Sequence, residues 1–169
     1  MLIVFGGLPG TGKTTIAREL ARELGAVYLR IDSIEQAIRD SVTVNRSLDD
    51  AGYRVGYGVA GDNLGLGRTV IADSVNPLAV TRNAWVEVAN RARASVMEIE
   101  VICSDVDEHR NRVEQRIADV PGLRLPTWQE VVSREYQAWD REHTVVDTAR
   151  QSVEQSVKLL LEAIAKRKE

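Results

Sequence analysis

The chain has 169 residues, with 22 Lys and Arg against 25 Asp and Glu, which gives a formal net charge of −3. This length allows one domain with a sizeable core, and the charge excludes a general attraction to nucleic acid or anionic membranes. The single Cys103 excludes an internal disulfide framework. No apolar stretch is long enough to span a bilayer, and no cleavable signal precedes the first predicted strand. We therefore expect a cytoplasmic protein.

The first predicted strand and helix enclose a glycine-rich stretch. Leu2–Phe5 is a continuous apolar run, typical of a strand buried on both faces of a parallel sheet. The residues Gly7-Leu8-Pro9-Gly10-Thr11-Gly12-Lys13-Thr14 follow it and match G-x-x-x-x-G-K-[ST]. An amphipathic helical pattern then runs to Gly25. A plain glycine-rich turn is the alternative, but strand, loop, Lys-Thr pair and helix occur in the order that a phosphate-binding loop requires.

This motif predicts a site for a nucleoside triphosphate. Its glycines let successive backbone N–H groups point at phosphates, and the following helix directs the positive end of its dipole at the same anion. Lys13 can reach the β- and γ-phosphates, and the Thr14 hydroxyl can hold Mg²⁺. The predicted nucleotide-binding residues of the loop are Gly7, Leu8, Pro9, Gly10, Thr11, Gly12, Lys13, Thr14 and Thr15.

A second strand is predicted over residues 26–31, and it ends at Asp32-Ser33, where a helical pattern begins. Asp32 is thus predicted at the carboxyl end of a parallel strand, the edge of an open sheet where ligands bind. It is either a functional carboxylate or a helix cap and dipole partner. Ser33 could cap the helix instead, which favours the functional interpretation.

Glycine recurs in the next segment. Residues 42–48 are predicted to form a loop, and Asp49 or Asp50 could cap the helix that follows. Gly52–Gly67 contains six glycines, although each interior glycine costs a helix about 1 kcal/mol relative to alanine. Close packing against another backbone and a mobile flap over a substrate explain them equally well. The second interpretation predicts an acceptor-side flap at about 42–66.

The third predicted strand, Thr69–Ala72, is followed by Asp73-Ser74. Apolar residues ending in Asp are the Walker B pattern, in which the carboxylate holds Mg²⁺ or its water shell. Motor ATPases usually place a glutamate directly after this Asp, whereas Ser74 stands here. The difference favours transfer to a bound acceptor over hydrolysis. Asn76-Pro77 is then predicted to cap and open the next helix.

A fourth strand is predicted over Met97–Cys103, and an arginine-rich stretch follows it. Arg112 and Arg116 are four residues apart, which predicts that they share one helical face. They either pair with nearby glutamates on a solvated face, or belong to a lid at about 106–126 whose arginines close on the transferring phosphate. The Pro-Gly break within that stretch favours the lid.

The last third of the chain contains two more helix starts and one strand. Thr127 with Glu130, three residues later, has the spacing of a capping box. Thr144–Asp147 is the fifth predicted strand, and Ser152 caps a final amphipathic helix. Strands alternating with helices predict an α/β fold with a parallel sheet.

Together, the phosphate loop, Asp32, Thr69–Ser74 and the arginine-rich stretch resemble the small P-loop kinases. The likeness is to the AAA_33-type subgroup, which includes polynucleotide 5′-kinases and chloramphenicol phosphotransferases, and it covers nearly the whole chain. It implies a single domain over residues 1–169 with a three-layer P-loop NTPase fold. The implied parallel sheet has five strands in the order 2-3-1-4-5, with helices on both faces and Asp73 beside the phosphate loop.

The resemblance also implies roles for individual residues. In polynucleotide kinases an Asp after the second strand is the general base toward the acceptor hydroxyl, and Asp32 matches its place. Arg112 and Arg116 match the paired lid arginines of that family. Residues after its last strand contact adenine, which points to Thr148–Arg150 in this chain. Its arginine three residues after the base is Glu35 here, a departure that disfavours a phosphorylated polynucleotide acceptor.

These patterns predict an ATP-dependent kinase that moves the γ-phosphate to a hydroxyl of a small molecule or of a nucleoside or nucleotide. The predicted site residues are Lys13, Asp32 and Arg116 for catalysis, Thr14 and Asp73 for Mg²⁺, and Arg112, Arg116 and Arg150 beside the loop for ATP. The alternatives are a polynucleotide 5′-hydroxyl kinase and an ATP-binding regulatory switch with little turnover. The expected partner is a small-molecule hydroxyl acceptor, and neither nucleic acid nor a membrane is favoured.

Overall fold

A computed structural model describes residues 1–41 and 50–167. Strands alternate with helices along most of the chain, as the apolar patterns predict. The elements are β1 (Leu2–Gly6), α1 (Lys13–Leu24), β2 (Val27–Arg30), α2 (Ile31–Ser41), α3 (Ala51–Gly65), β3 (Val70–Asp73), α4 (Ala79–Arg91), β4 (Val96–Ile102), α5 (Val106–Gln115), α6 (Trp128–Val132), β5 (Thr144–Asp147) and α7 (Val153–Lys166). No helix within these described ranges is long and apolar enough to cross a membrane.

The five strands form one parallel sheet in the order β2-β3-β1-β4-β5, which confirms the predicted topology. β1 lies in the centre between β3 and β4. Phe5 of β1 pairs with Asp73 of β3, and Asp73 pairs in turn with Arg30 of β2. Because all strands run the same way, their carboxyl ends meet at one edge, where the phosphate loop leaves β1.

Each face of the sheet buries its own hydrophobic core, and together they make three layers. Along β1, Ile3 and Phe5 belong to the core under α1 and α7, while Leu2 and Val4 belong to the core under α3 and α4. This alternation follows from the two-residue period of a strand. Trp85 of α4 is fully buried in the second core.

The structure corrects two predicted boundaries next to the carboxyl edge. β2 ends at Arg30, so Asp32 is the second residue of α2 rather than the residue that closes the strand. α4 begins at Ala79 after Leu78, so Asn76 does not cap it. Asn76 is instead buried with a φ of 47°, and its side-chain amide donates to the Phe5 carbonyl at 2.8 Å. Asparagine tolerates this left-handed backbone better than most residues, which explains its place between β3 and α4.

The glycine-rich segment is helical from Ala51 to Gly65, directly after Asp50. Two of its glycines lie where a side chain would collide. A Cβ at Gly52 would lie 2.3 Å from Cγ of Glu35, and one at Gly56 would lie 2.6 Å from Cδ1 of Ile31. Close packing therefore accounts for these two positions. The predicted loop at 42–48 and Asp49 lie outside the described residues.

Replacing Gly56 tests whether its lack of a side chain is a packing requirement. Gly56→Ala should lower the free energy of unfolding by about 1–3 kcal/mol, because its methyl group would meet Ile31 and Trp85, both buried. Gly58 is the control on the same helix, since a Cβ there meets nothing within 4 Å. Gly58→Ala should raise stability by up to about 1 kcal/mol. Urea denaturation measures both, and equal gains in stability would contradict the packing argument.

Candidate active site

The phosphate loop joins β1 to α1 at the carboxyl edge and is held from several sides. Gly7 has a φ of 134°, and a Cβ there would lie 2.2 Å from the Val101 carbonyl oxygen, so this position requires glycine. The Gly7 N–H donates to the Val75 carbonyl at 3.0 Å. Nε2 of His109, on α5, lies 2.8 Å from the Pro9 carbonyl oxygen, which can only accept. The loop is therefore fixed by β4, the β3–α4 connection and α5.

Lys13 is the first residue of α1, and its side chain is buried at the centre of a group of charges. Burial lowers the pKa of Lys13, while the Asp73 and Asp32 carboxylates partly offset this effect. Arg116 and Arg30 are also close enough to lower it. Lys13 thus shares its surroundings with two carboxylates and two guanidinium groups. Its two predicted catalytic partners, Asp32 and Arg116, are among them.

Asp73 ends β3 with a side chain that is almost fully buried. One of its oxygens accepts a hydrogen bond from the Tyr28 hydroxyl at 2.7 Å, and burial raises the pKa of Tyr28 so that the phenol stays neutral. Its other oxygen accepts no side-chain hydrogen bond from the described residues. A free carboxylate oxygen of this kind fits Mg²⁺, which uses few protein ligands together with water and phosphate oxygens. Thr14 supplies a hydroxyl from the first turn of α1.

A cavity of about 440 Å³ opens over the start of α1. Of the predicted nucleotide-binding residues, those that line it are Gly10, Gly12, Lys13, Thr14, Thr15, Arg112 and Arg116. Pro9 lines a second cavity, and a third, of about 220 Å³ behind the loop, is lined in part by Gly7, Leu8 and Thr11. These four loop residues therefore lie outside the wall of the first cavity.

The predicted role of Arg150 is not supported by its position. Arg150 is exposed, its Nε lies 3.4 Å from a carboxylate oxygen of Asp147, and it is not among the described residues that line the first cavity. Thr148 of the same predicted stretch does line it, and so do Gln151, Ser152 and Val153. The sequence signal for these residues was the capped start of α7, because a helix start directly after β5 must lie at the carboxyl edge.

The second cavity, of about 530 Å³, lies on the other side of Lys13. Its described walls come from α2, the start of α3, the β3–α4 connection and the stretch 123–126. Asp32 and Glu35 line it from α2, and Tyr53 lines it from α3. Lys13 and Arg116 line both cavities. The structure therefore places a lysine and an arginine where the two spaces meet, with the Asp32 carboxylate in the second.

The two lid arginines differ in their surroundings. α5 ends at Gln115 and Arg116 is its C-cap, with a helical φ of −63° and an extended ψ of 133°, so the chain leaves the helix directly after the point where Arg112 and Arg116 both face the first cavity. The Arg112 guanidinium is occupied, since it donates to the Thr148 hydroxyl at 2.7 Å and pairs with Glu108. The Arg116 guanidinium makes no hydrogen bond or ion pair with residues 1–41 or 50–167.

A further charged cluster, which the sequence did not reveal, lies beside Lys13. Arg30 ends β2 with a side chain only 3% exposed, and it donates two hydrogen bonds, of 2.8 and 3.0 Å, to the two carboxylate oxygens of Asp119. Arg18 of α1 donates to the same carboxylate at 2.5 Å. The hydrogen bonds from Arg30 and Arg18 hold the pKa of Asp119 well below its usual range. Arg30 also lies 3.6 Å from Asp32.

Comparisons with known proteins agree with this fold. The AAA_33 family model, described as an AAA domain, matches residues 2–155. No curated protein matches the sequence. The structure of Mycobacterium tuberculosis APS kinase CysC in complex with AMPPNP and APS is 18% identical, with a TM-score of 0.73 over 97% of this chain and 96% of its own. At this level of identity the likeness establishes the fold alone.

Two other solved structures have the same fold. Chaetomium thermophilum Kti12 in complex with ADP-AlF3 is 24% identical, with a TM-score of 0.71 over 97% of this chain and 99% of its own. A gluconokinase from Sinorhizobium meliloti 1021 is 17% identical, with a TM-score of 0.65 over 97% of this chain and 91% of its own. The same fold is therefore shared by an APS kinase, by Kti12 and by a gluconokinase.

Lys13→Ala tests whether the first cavity binds ATP. The substitution should weaken ATP binding by about tenfold to a hundredfold, because it removes a charge-assisted contact to phosphate that no other described lysine can replace. Isothermal titration calorimetry with ATP and Mg²⁺ measures the change. Lys158→Ala, on the exposed face of α7, is the control and should bind as the wild type does. Equal ATP affinity in all three proteins would contradict the assignment.

Proposed function

The chain belongs to the AAA_33 family, and from this premise we propose that it is a phosphotransferase that uses ATP and Mg²⁺. Its acceptor would be a hydroxyl group of a small molecule or of a nucleoside or nucleotide. The phosphate loop and the kinase folds of its structural neighbours support nucleotide chemistry. The class of acceptor is inferred from the volume of the second cavity and from the Asp32 carboxylate in its lining.

The observation that carries the proposal is that two cavities meet at Lys13 and Arg116. Phosphoryl transfer is mostly a matter of positioning two substrates in line and neutralising the charge between them. A lysine, and an arginine that pairs with no residue in the described part of the chain, supply positive charge at the junction, where the transferring group would pass. A protein that only bound nucleotide would need the first cavity but not the second.

ATP would lie in the first cavity with its phosphates on the loop. Backbone N–H groups and Lys13 would hold the β- and γ-phosphates. The Thr14 hydroxyl and the free oxygen of Asp73 would hold Mg²⁺, directly or through water, and the bound ion would neutralise charge on those phosphates. Tyr28 keeps the Asp73 carboxylate fixed through its 2.7 Å hydrogen bond.

Asp32 would act as the general base in the second cavity. Its side chain is 37% exposed, so a bound hydroxyl could reach it, and its location in the first turn of α2 puts it beside the junction. A carboxylate there can orient the acceptor hydroxyl and accept its proton during transfer. The 3.6 Å separation from Arg30 is too long for a strong hydrogen bond, which leaves the oxygens available.

Arg116 would stabilise the charge of the transferring phosphoryl group, and Arg112 would support the nucleotide side. Arg112 lies against the loop, 3.8 Å from the Cβ position of Gly12, and its hydrogen bonds to Thr148 keep it there. Arg116 is free to bind a phosphate oxygen from the junction. We propose that residues 106–126, which carry both arginines, form the lid.

The dimensions of the second cavity favour a small acceptor. Its volume of about 530 Å³ is within the range of small-molecule sites. Its wall carries Glu35 and Asp50 near Asp32, and also Arg39, Arg124 and Arg134, so its charge accommodates a neutral hydroxyl compound as well as one with an anionic group. A screen of hydroxyl compounds with labelled ATP identifies the acceptor, and it should include 5′-hydroxyl oligonucleotides so that the polynucleotide alternative is tested directly.

Asp32→Asn separates an enzyme from a regulatory switch. The variant should bind ATP and Mg²⁺ as the wild type does, because the loop and Lys13 hold the phosphates, yet its transfer rate to the identified acceptor should fall by about 10² to 10⁴. Asp40→Asn on the same helix is the control, since Asp40 is exposed. A large loss of ATP affinity would make Asp32 a nucleotide or metal ligand, and a wild-type rate would exclude it as the base.

Arg116→Ala and Arg112→Ala should affect different kinetic constants. Loss of Arg116 should lower kcat by about 10² or more with little change in ATP affinity, because its contact forms with the transferring group. Loss of Arg112 should mainly weaken ATP binding, since its guanidinium supports Thr148 and the loop. Steady-state kinetics with the identified acceptor distinguish the two. An unchanged kcat for Arg116→Ala would return Arg116 to the solvated-face interpretation.

A further inference from the structure

We propose that Asp119 is the positioning residue for Arg116, and that its ion pairs with Arg30 and Arg18 hold Arg116 at the junction of the two cavities. The inference rests on the role proposed above for Arg116. It assigns a function to the charge cluster of Arg30, Asp119 and Arg18, in which Arg30 is buried while Asp119 and Arg18 line the first cavity. Four observations about residues 116–123 support it.

Arg116 has no hydrogen bond or ion pair with a described residue that could hold its side chain in place. It lies one residue beyond α5, with an extended backbone, and its guanidinium makes no hydrogen bond or ion pair within the described part of the chain. The next residue, Ile117, is 88% exposed and cannot anchor the backbone through packing. Residues 116–127 contain no helix or strand. α5 fixes the backbone before Arg116 through His109 and Arg112, so the attachment still needed is one on the carboxyl-terminal side of Arg116.

Asp119 is that attachment, three residues later. Both of its carboxylate oxygens accept hydrogen bonds from Arg30 in a bidentate arrangement, and one accepts another from Arg18. Arg30 belongs to β2 and Arg18 belongs to α1, so the segment is tied to the sheet and to the helix that follows the phosphate loop. Bidentate guanidinium–carboxylate pairs fix orientation as well as distance.

The pair with Arg30 differs from an ordinary surface ion pair because its cation is buried. With 3% of its side chain exposed, Arg30 cannot be fully hydrated and requires an anion. Its other close carboxylate, Asp32, lies farther away at 3.6 Å. Removing the Asp119 charge would leave a buried guanidinium poorly compensated, so Arg30 holds Asp119 more firmly than an exposed arginine would.

The other close contact of the segment lies farther from Arg116. A Cβ at Gly122 would lie 2.8 Å from Nε2 of Gln36, which already donates to Asp40. This contact involves packing at the turn, six residues from Arg116, and it supplies no charge. Asp119 is therefore the nearest polar anchor of the segment that follows Arg116. A displacement of about 1 Å at a transferring group can cost about 10²-fold in rate.

The test compares binding of ADP with binding of ADP plus aluminium fluoride, both with Mg²⁺, by titration calorimetry. Aluminium fluoride stands in for the transferring phosphoryl group, so the ratio of the two dissociation constants reports Arg116 without any acceptor. The variants are Arg116→Ala, Asp119→Ala, Asp119→Asn and a double variant that combines Arg116→Ala with Asp119→Ala.

Glu114→Ala is the matched control for the loss of a carboxylate near Arg116. Glu114 lies two residues before Arg116, and its carboxylate accepts a hydrogen bond from Arg110 at 2.8 Å. Both side chains of that pair are about half exposed, so the pair joins two residues of α5 at the surface and ties nothing to the sheet. Such a pair contributes little to stability or position. The control therefore removes a nearby negative charge without removing an anchor.

The preference for aluminium fluoride is the ratio of the dissociation constant of ADP to that of ADP with aluminium fluoride. If Asp119 acts through Arg116, Arg116→Ala should lower this ratio by about 10²-fold, and Asp119→Ala should lower it by about tenfold or more. Asp119→Asn should lie between Asp119→Ala and the wild type, and Glu114→Ala should match the wild type. The double variant should show the same ratio of dissociation constants as Arg116→Ala alone. An anchor for Arg116 has no effect once the Arg116 side chain has been removed. Affinity for ADP alone should stay within a few-fold, which also shows that each variant is folded.

Three results would overturn the inference in distinguishable ways. If Arg116→Ala loses the preference and Asp119→Ala keeps it, Asp119 does not position Arg116, while the proposed function stands. If Arg116→Ala keeps the preference, the proposed role of Arg116 fails together with the inference. Additive losses in the double variant would also overturn it, since they would show that Asp119 acts by a separate route.

Discussion

The balance of charge at the carboxyl edge of the sheet is the constraint on which the rest of the site depends. Burying a cation is costly unless an anion lies close to it, and this edge buries both Lys13 and Arg30. They are matched by carboxylates from three different segments, so each backbone element must end where its charge is needed. The carboxylates are Asp32, Asp73 and Asp119, and Arg116 adds a third, partly exposed cation beside Lys13.

The order of the strands makes this balance geometrically simple. Because β1 lies between β3 and β4, the loop that leaves it has Asp73 on one side and α5 on the other. Arg30 of β2 is the register partner of Asp73 of β3, so the Arg30 guanidinium is also placed at the carboxyl edge of the sheet. The alternating apolar residues of β1 bury both faces of the sheet, and only the edge is left for polar chemistry.

The sequence predicts most of the fold and about half of the site, and the difference has a physical reason. The phosphate loop, the five strands and the cap at Thr127 depend on neighbouring residues, and each was predicted correctly. Arg116 was placed by its spacing from Arg112, and Arg150 by the resemblance to the P-loop kinases, and neither shows where a helix ends or which way a turn points. The Arg30–Asp119 pair joins residues 89 apart, and nothing local to either residue signals it.

The shared junction has a consequence for how such a protein can change through substitution. Lys13 and Arg116 line both cavities, but most other walls of the second cavity come from α2, the β3–α4 connection and the stretch 123–126. Substitutions confined to these walls change the lining of the second cavity and leave the residues that line the first cavity unchanged. The choice of acceptor can therefore change through single substitutions, while the residues that would bind ATP stay the same. A fold that binds donor and acceptor through largely separate sets of residues can serve many different acceptors.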